Sequence, residues 1–83
     1  MLGKYTEAEK LEIQVLDAWN RILGVEHPAT ITSMANLAVI YKTLGKYTEA
    51  EKLEIQVLDA RSRILGVEHP NTIGAMANLA ATY

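Results

Sequence analysis

Cysteine is absent from these 83 residues. Its absence removes disulfides and thiolate metal sites from consideration and fits a reducing, cytoplasmic setting. Long apolar runs are absent too. The longest is Leu37-Ala38-Val39-Ile40-Tyr41, five residues against the ~20 that a membrane-spanning helix needs. No charged-then-apolar leader opens the chain, so nothing points to secretion. Neither sign of charge dominates: eight Lys and Arg against ten Asp and Glu leave a formal net charge of −2. That balance lacks the basic footprint that nucleic acid or an anionic membrane surface selects, so neither is expected as a partner. There is no nucleophile–base pair and no phosphate-cradling glycine loop, so no enzyme and no cofactor is expected.

What is present is ordinary in composition, 49% hydrophobic and 22% charged, and repetitive in order. The stretch GKYTEAEKLEIQVLDA at residues 3–18 returns unchanged at 45–60. When residues 2–41 are aligned with 44–83 at an offset of 42, 33 of 40 pairs are identical, with no insertion or deletion. The seven differences are Trp19/Arg61, Asn20/Ser62, Ala29/Asn71, Thr32/Gly74, Ser33/Ala75, Val39/Ala81 and Ile40/Thr82. Such identity follows from recent duplication or from deliberate design. The copies, roughly 2–43 and 44–83, are read as one domain over 1–83. Because the pattern after Met1 starts in mid-period, that domain is expected to be a fragment of a longer array.

Each period holds two helical segments. Thr48 followed by Glu51 reads as a capping box, and Ala50, Leu53, Val57, Leu58 and Ile64 recur at helical spacing as one apolar stripe. Gly66 is a natural left-handed stop, which predicts a long helix over 48–65 and its twin over 6–23, ended by Gly24. A shorter helix begins near Pro28, whose missing N–H costs nothing in a first turn. Its stripe is Ile31, Met34, Leu37, Ala38, Tyr41 and Leu44, and Gly45 closes it. The same helix recurs over 71–83. No β-type alternation occurs, so the fold class is all-α.

In NLAVIYKTLGKYTEAEKL, residues Leu37, Ala38, Tyr41, Gly45, Tyr47 and Ala50 fall at the signature spacings of the tetratricopeptide repeat, and the chain resembles that family throughout. Its 42-residue period, with LG and HP between helices, is more similar to the kinesin light chain type than to the usual shorter repeat. The resemblance implies an α-solenoid of antiparallel helix pairs that binds a protein or peptide. It also marks two departures. Met34 and Met76 stand where a larger residue is usual, and Glu12 and Glu54 where an aromatic is usual. A carboxylate in an apolar arc is costly unless paired. Its head is expected to reach outward or to meet a nearby Lys or Arg.

In this family the first helix of each pair lines a concave groove. On the shorter helices here, the side away from Met34 and Tyr41 carries Thr32, Asn36, Val39, Ile40 and Thr43 in one copy, and Gly74, Asn78, Ala81 and Thr82 in the other. Asn36 and Asn78 are the pointed candidates, since an amide offers donors and an acceptor to the backbone of an extended peptide. The alternative is a solvated asparagine kept by duplication. Only Lys42, at the edge, is basic, so a groove that clamps carboxylates is not expected. His27 and His69 each sit in a Glu-His-Pro turn without co-ligands, which favours turn structure over metal binding. Glu7/Glu9 and Glu49/Glu51 open helices and are read as capping charge rather than catalytic carboxylates.

The order of helices, long-short-long-short, is out of phase with the pairs. Leu11, Val15, Trp19 and Ile22 at one end, and Ile73, Met76, Leu79 and Tyr83 at the other, are then expected to lack a covering helix. Trp19 is either core or part of an exposed end patch. Two repeats are also fewer than the ~3 usually needed for independent stability. Homo-oligomers by head-to-tail stacking, or by exchange of terminal helices, are therefore expected. The competing functional reading is a self-associating scaffold, or a designed repeat protein with no ligand of its own.

Overall fold

The computed structural model describes residues 2–83. Four helices follow one another: α1 Leu2–Leu23, α2 Pro28–Thr43, α3 Tyr47–Leu65 and α4 Pro70–Thr82. No strand occurs among the described residues. Each helix packs chiefly on its neighbours in sequence, in a slab of 37 × 32 × 17 Å. Arg63 near the end of α3 meets Glu26 just before α2, and Lys42 near the end of α2 meets Glu54 in the first half of α3. Those pairs require α2 and α3 to run antiparallel. The short turn between Leu65 and Pro70, with the contact of Thr82 to Glu54, sets the same relation between α3 and α4. The architecture is an all-α solenoid of helix pairs.

The ends of the helices follow from local chemistry. Pro28 and Pro70 occupy first helical positions, as expected, and the residue before each does the capping. His27 Nδ1 accepts the amide of Ala29 at 3.0 Å, and His69 Nδ1 accepts that of Asn71 at 3.0 Å. A ring nitrogen that accepts in this way carries no proton, so both histidines hold theirs on Nε2. The expected capping box at Thr48 does not form. Helix α3 begins at Tyr47 and α1 at Leu2, so Thr48 and Thr6 lie inside helices, and the N-cap Lys46 makes no side-chain cap bond. The reason lies in the turn before α3. Lys46 N–H returns to the Tyr41 carbonyl at 2.8 Å and Gly45 N–H to that of Lys42 at 3.0 Å, a Schellman closure with Gly45 at φ +79°. That closure spans so few residues that the Lys46 carbonyl already accepts the first bond of α3, from Ala50 N–H.

The core forms where α2 lies between the two long helices. Ile31, Met34, Val57, Ala60 and Ala75 make its buried centre, flanked by half-buried Leu16, Ala35, Leu53 and Leu58. The stripe expected on α2 is buried through Ala38, and Tyr41 and Leu44 are half-buried. On α3 the inward residues are Ala50, Glu54, Val57 and Ala60. Ile64, expected in that stripe, is exposed, because the last turn of α3 opens onto a cleft of about 130 Å³ shared with Pro28, Ile31 and His69.

Candidate functional site

Helices α2 and α4 lie side by side against α3. Ala35 and Asn78 share one small cleft over Glu54 and Val57, and the Lys42 ammonium lies 3.4 Å from the Asn78 carbonyl. Of the groove residues read from the sequence, Thr32, Asn36, Val39, Thr43, Gly74, Asn78 and Ala81 are exposed, while Ile40 and Thr82 are half-buried. The side-chain amides of Asn36 and Asn78 are bonded to nothing else in the described chain. Two of the three groove hydroxyls are committed, and that of Thr32 is not. Thr43 donates to its own helix at Val39, 3.0 Å away, and Thr82 donates to the Glu54 carboxylate.

Beneath this face is a polar knot. Glu54 is buried, and its carboxylate is held by the Lys42 ammonium at 3.3 Å and by the Thr82 hydroxyl. The carboxylate in the apolar arc thus meets a lysine, one of its two expected resolutions. Lys42 is neutralised where it stands, which leaves the face between α2 and α4 with no free cation among the residues named for it.

Two further ion pairs tie successive repeats together. Lys46 Nζ lies 2.6 Å from Glu9 and 5.7 Å from the centre of the Tyr41 ring. The hydrogen bond to Glu9 raises the Lys46 pKa, and burial, helped by the charge of Glu9, raises that of Tyr41. Arg63 grips both oxygens of Glu26 with its guanidinium fork, one of them at 3.1 Å, while its Nε donates to Asp59 at 3.0 Å. The hydrogen bond from Arg63 holds the Glu26 carboxyl below its ordinary pKa, and Arg63 is raised in return. Sequence reading missed these pairs, although a signal was present. Glu9/Lys46 and Glu26/Arg63 are both 37 residues apart, one period less five.

The profile of the tetratricopeptide repeat matches residues 1–62 and again 36–83. The chain belongs to the tetratricopeptide repeat family. No curated protein matches it closely enough to compare. Tetratricopeptide repeats are interaction modules, and protein partners follow from membership. No helix is long and apolar enough to cross a membrane, and no three of His, Cys, Asp and Glu gather as a metal ion would require among the described residues.

The end faces of this tetratricopeptide unit are largely open. Leu11, Val15 and Ile22 on α1 are exposed, and Trp19 is half-buried. Ile73, Met76 and Tyr83 are exposed at the other end. Leu79, expected among them, is buried instead. It stands one helical turn from Ala75, about 40° round the axis, so it turns inward with Thr72 and Ala75 onto α3.

Proposed function

We propose that this tetratricopeptide unit binds an extended peptide segment of a partner protein along α2 and α4, with Asn36 and Asn78 clamping the peptide backbone. The observation that carries the reading is the pair of exposed asparagines at equivalent positions of neighbouring helices, each amide unengaged by its own chain. Three of the other polar groups named on that face are already satisfied: Lys42 and Thr82 by Glu54, and Thr43 by its own helix. A backbone is the natural ligand for a row of amides, since it presents alternating donors and acceptors. By its 42-residue period we assign the unit to the kinesin light chain type, and we place it in the cytoplasm. A displayed library of random linear peptides, selected on the 83-residue chain, supplies the probe. Binders so selected should lose about tenfold or more in affinity to the Asn36→Ala/Asn78→Ala double variant, at unchanged helicity. Selected peptides that bind both proteins equally would defeat the reading.

A specific observation also favours a second role, head-to-tail association of the unit with itself. Residues of identical type are covered in one copy and open in the other. Ile31 is 4% exposed and Ile73 50%, Met34 8% and Met76 43%, and Val57 3% against Val15 at 40%. Apolar area of this kind, at about 25 cal/mol per Å², drives association where a matching surface exists.

A further inference from the structure

We propose that the outer faces of α1 and α4 are the two halves of one more repeat junction, and that a second copy docks there with its Lys4 on Glu51 and its Arg21 on Glu68. This inference rests on the self-association reading and names the contacts that set its register.

The template is the junction inside the chain. There, α3 covers α2, and two carboxylates of the preceding repeat reach cations 37 residues ahead: Glu9 to Lys46 and Glu26 to Arg63. Adding one 42-residue period to each carboxylate gives Glu51 and Glu68. Neither has an ionic partner among the described residues. Subtracting one period from each cation gives Lys4 and Arg21. Lys4 is likewise unpaired, and Arg21 is paired only within its own helix. The tail of the unit therefore offers two carboxylates, and the head two cations, at the positions that are bonded to each other one repeat earlier. The apolar residues follow the same rule. Ile73 and Met76 are open where Ile31 and Met34 are covered by α3, and Val15 is open where Val57 is buried.

Arg21 is already set for the contact. Its Nε donates to Asp17 at 3.1 Å, as that of Arg63 donates to Asp59 at 3.0 Å. In Arg63 that anchor leaves the two terminal nitrogens to take Glu26 in a fork. In Arg21 the same anchor leaves them free for a carboxylate arriving from a preceding repeat, and a planar bidentate pair fixes register as well as sign. Lys4 is less well placed. It lies in the first turn of α1, whereas Lys46 precedes α3, so that turn must open for the second pair to close.

Sedimentation velocity on the 83-residue chain, from low to high micromolar and at low and high salt, tests this with two charge reversals. Lys4→Glu/Arg21→Glu reverses the head and Glu51→Lys/Glu68→Lys the tail, and circular dichroism checks that both remain helical. Each variant alone should associate on the order of tenfold more weakly than the unaltered chain, because like charges then face each other. An equimolar mixture should recover association, since either head then finds an opposite tail. If the unaltered chain associates and both reversals leave it unchanged, the register is wrong although self-association stands. If the unaltered chain is a folded monomer throughout, the self-association reading fails and this one with it. Should a reversal lose helicity, Arg21→Gln, Glu68→Gln and their combination replace it. Coupling between the two supports the pair, and simple additivity of their effects on the dissociation constant overturns it.

Discussion

Glu12 and Glu54 are the same residue in the same local sequence, yet only one of them is buried and paired. Glu54 has Lys42 before it and Thr82 after it; the helix after Glu12 carries Ile40 where α4 carries Thr82. Glutamine can keep a hydrogen bond to Thr82 but cannot answer the charge of Lys42. Glu54→Gln is therefore expected to cost about 1–3 kcal/mol, the range for a buried polar group that loses a charged partner. Glu12→Gln should lie within about 0.5 kcal/mol of the unaltered chain. Paired urea melts of the two variants measure the difference, and equal midpoints would show that the Lys42–Glu54 pair adds nothing. That Glu54 needed a partner was legible in the sequence, from a carboxylate inside an apolar arc. Which partner it takes was not, because Lys42 and Thr82 are 12 residues before it and 28 after it. Only the packing of three helices brings them together.

Among the helices, boundaries set by a single residue were the most legible. Pro28, Pro70, Gly24, Gly45 and Gly66 end or begin helices as their backbone chemistry demands, and all three glycines have positive φ. The starts of α1 and α3 were less so, because the capping-box pattern at Thr48 and Glu51 competes with the Schellman closure through Gly45 and loses. Stability at this scale depends on what covers a helix. Met34→Ala removes a buried side chain from between α1 and α3 and should cost about 2–4 kcal/mol. The identical change at Met76, on the open face of α4, should cost about 1 kcal/mol or less in the monomer. Thermal melts at a dilution where the chain is monomeric compare the two. A Met76→Ala loss as large as that of Met34→Ala would mean that α4 is covered even there.

For the whole molecule, the ties between repeats are ionic around an apolar centre, so acid should loosen them first. The hydrogen bond from Arg63 depresses the folded pKa of Glu26 below its ordinary 4.5. A carboxylate of this kind contributes stability that is present above the ordinary value and is lost as pH falls through the lower, folded one. Helicity and melting temperature should hold from neutral pH to about 5 and decline below 4.5. Glu26→Gln should blunt that acid decline while lowering the melting temperature at neutral pH. An acid profile unchanged by Glu26→Gln would remove the Arg63 pair from the account.

The sequence alone dictates the period, the helix count, the all-α class and the apolar positions of α2, because these depend on spacing along one chain and on Pro and Gly chemistry. It could not determine which of two identical residues would be buried. Ile31 and Ile73, Met34 and Met76, and Val57 and Val15 hold equivalent positions of the period and the same helix register, although Thr32/Gly74 and Ser33/Ala75 differ beside the first two pairs. Ile31, Met34 and Val57 are covered, and their twins are not. Burial and ion pairing are properties of a neighbour, and in a solenoid the neighbour is the next repeat. A residue's environment is then decided by its place in the stack, which only the tertiary structure supplies.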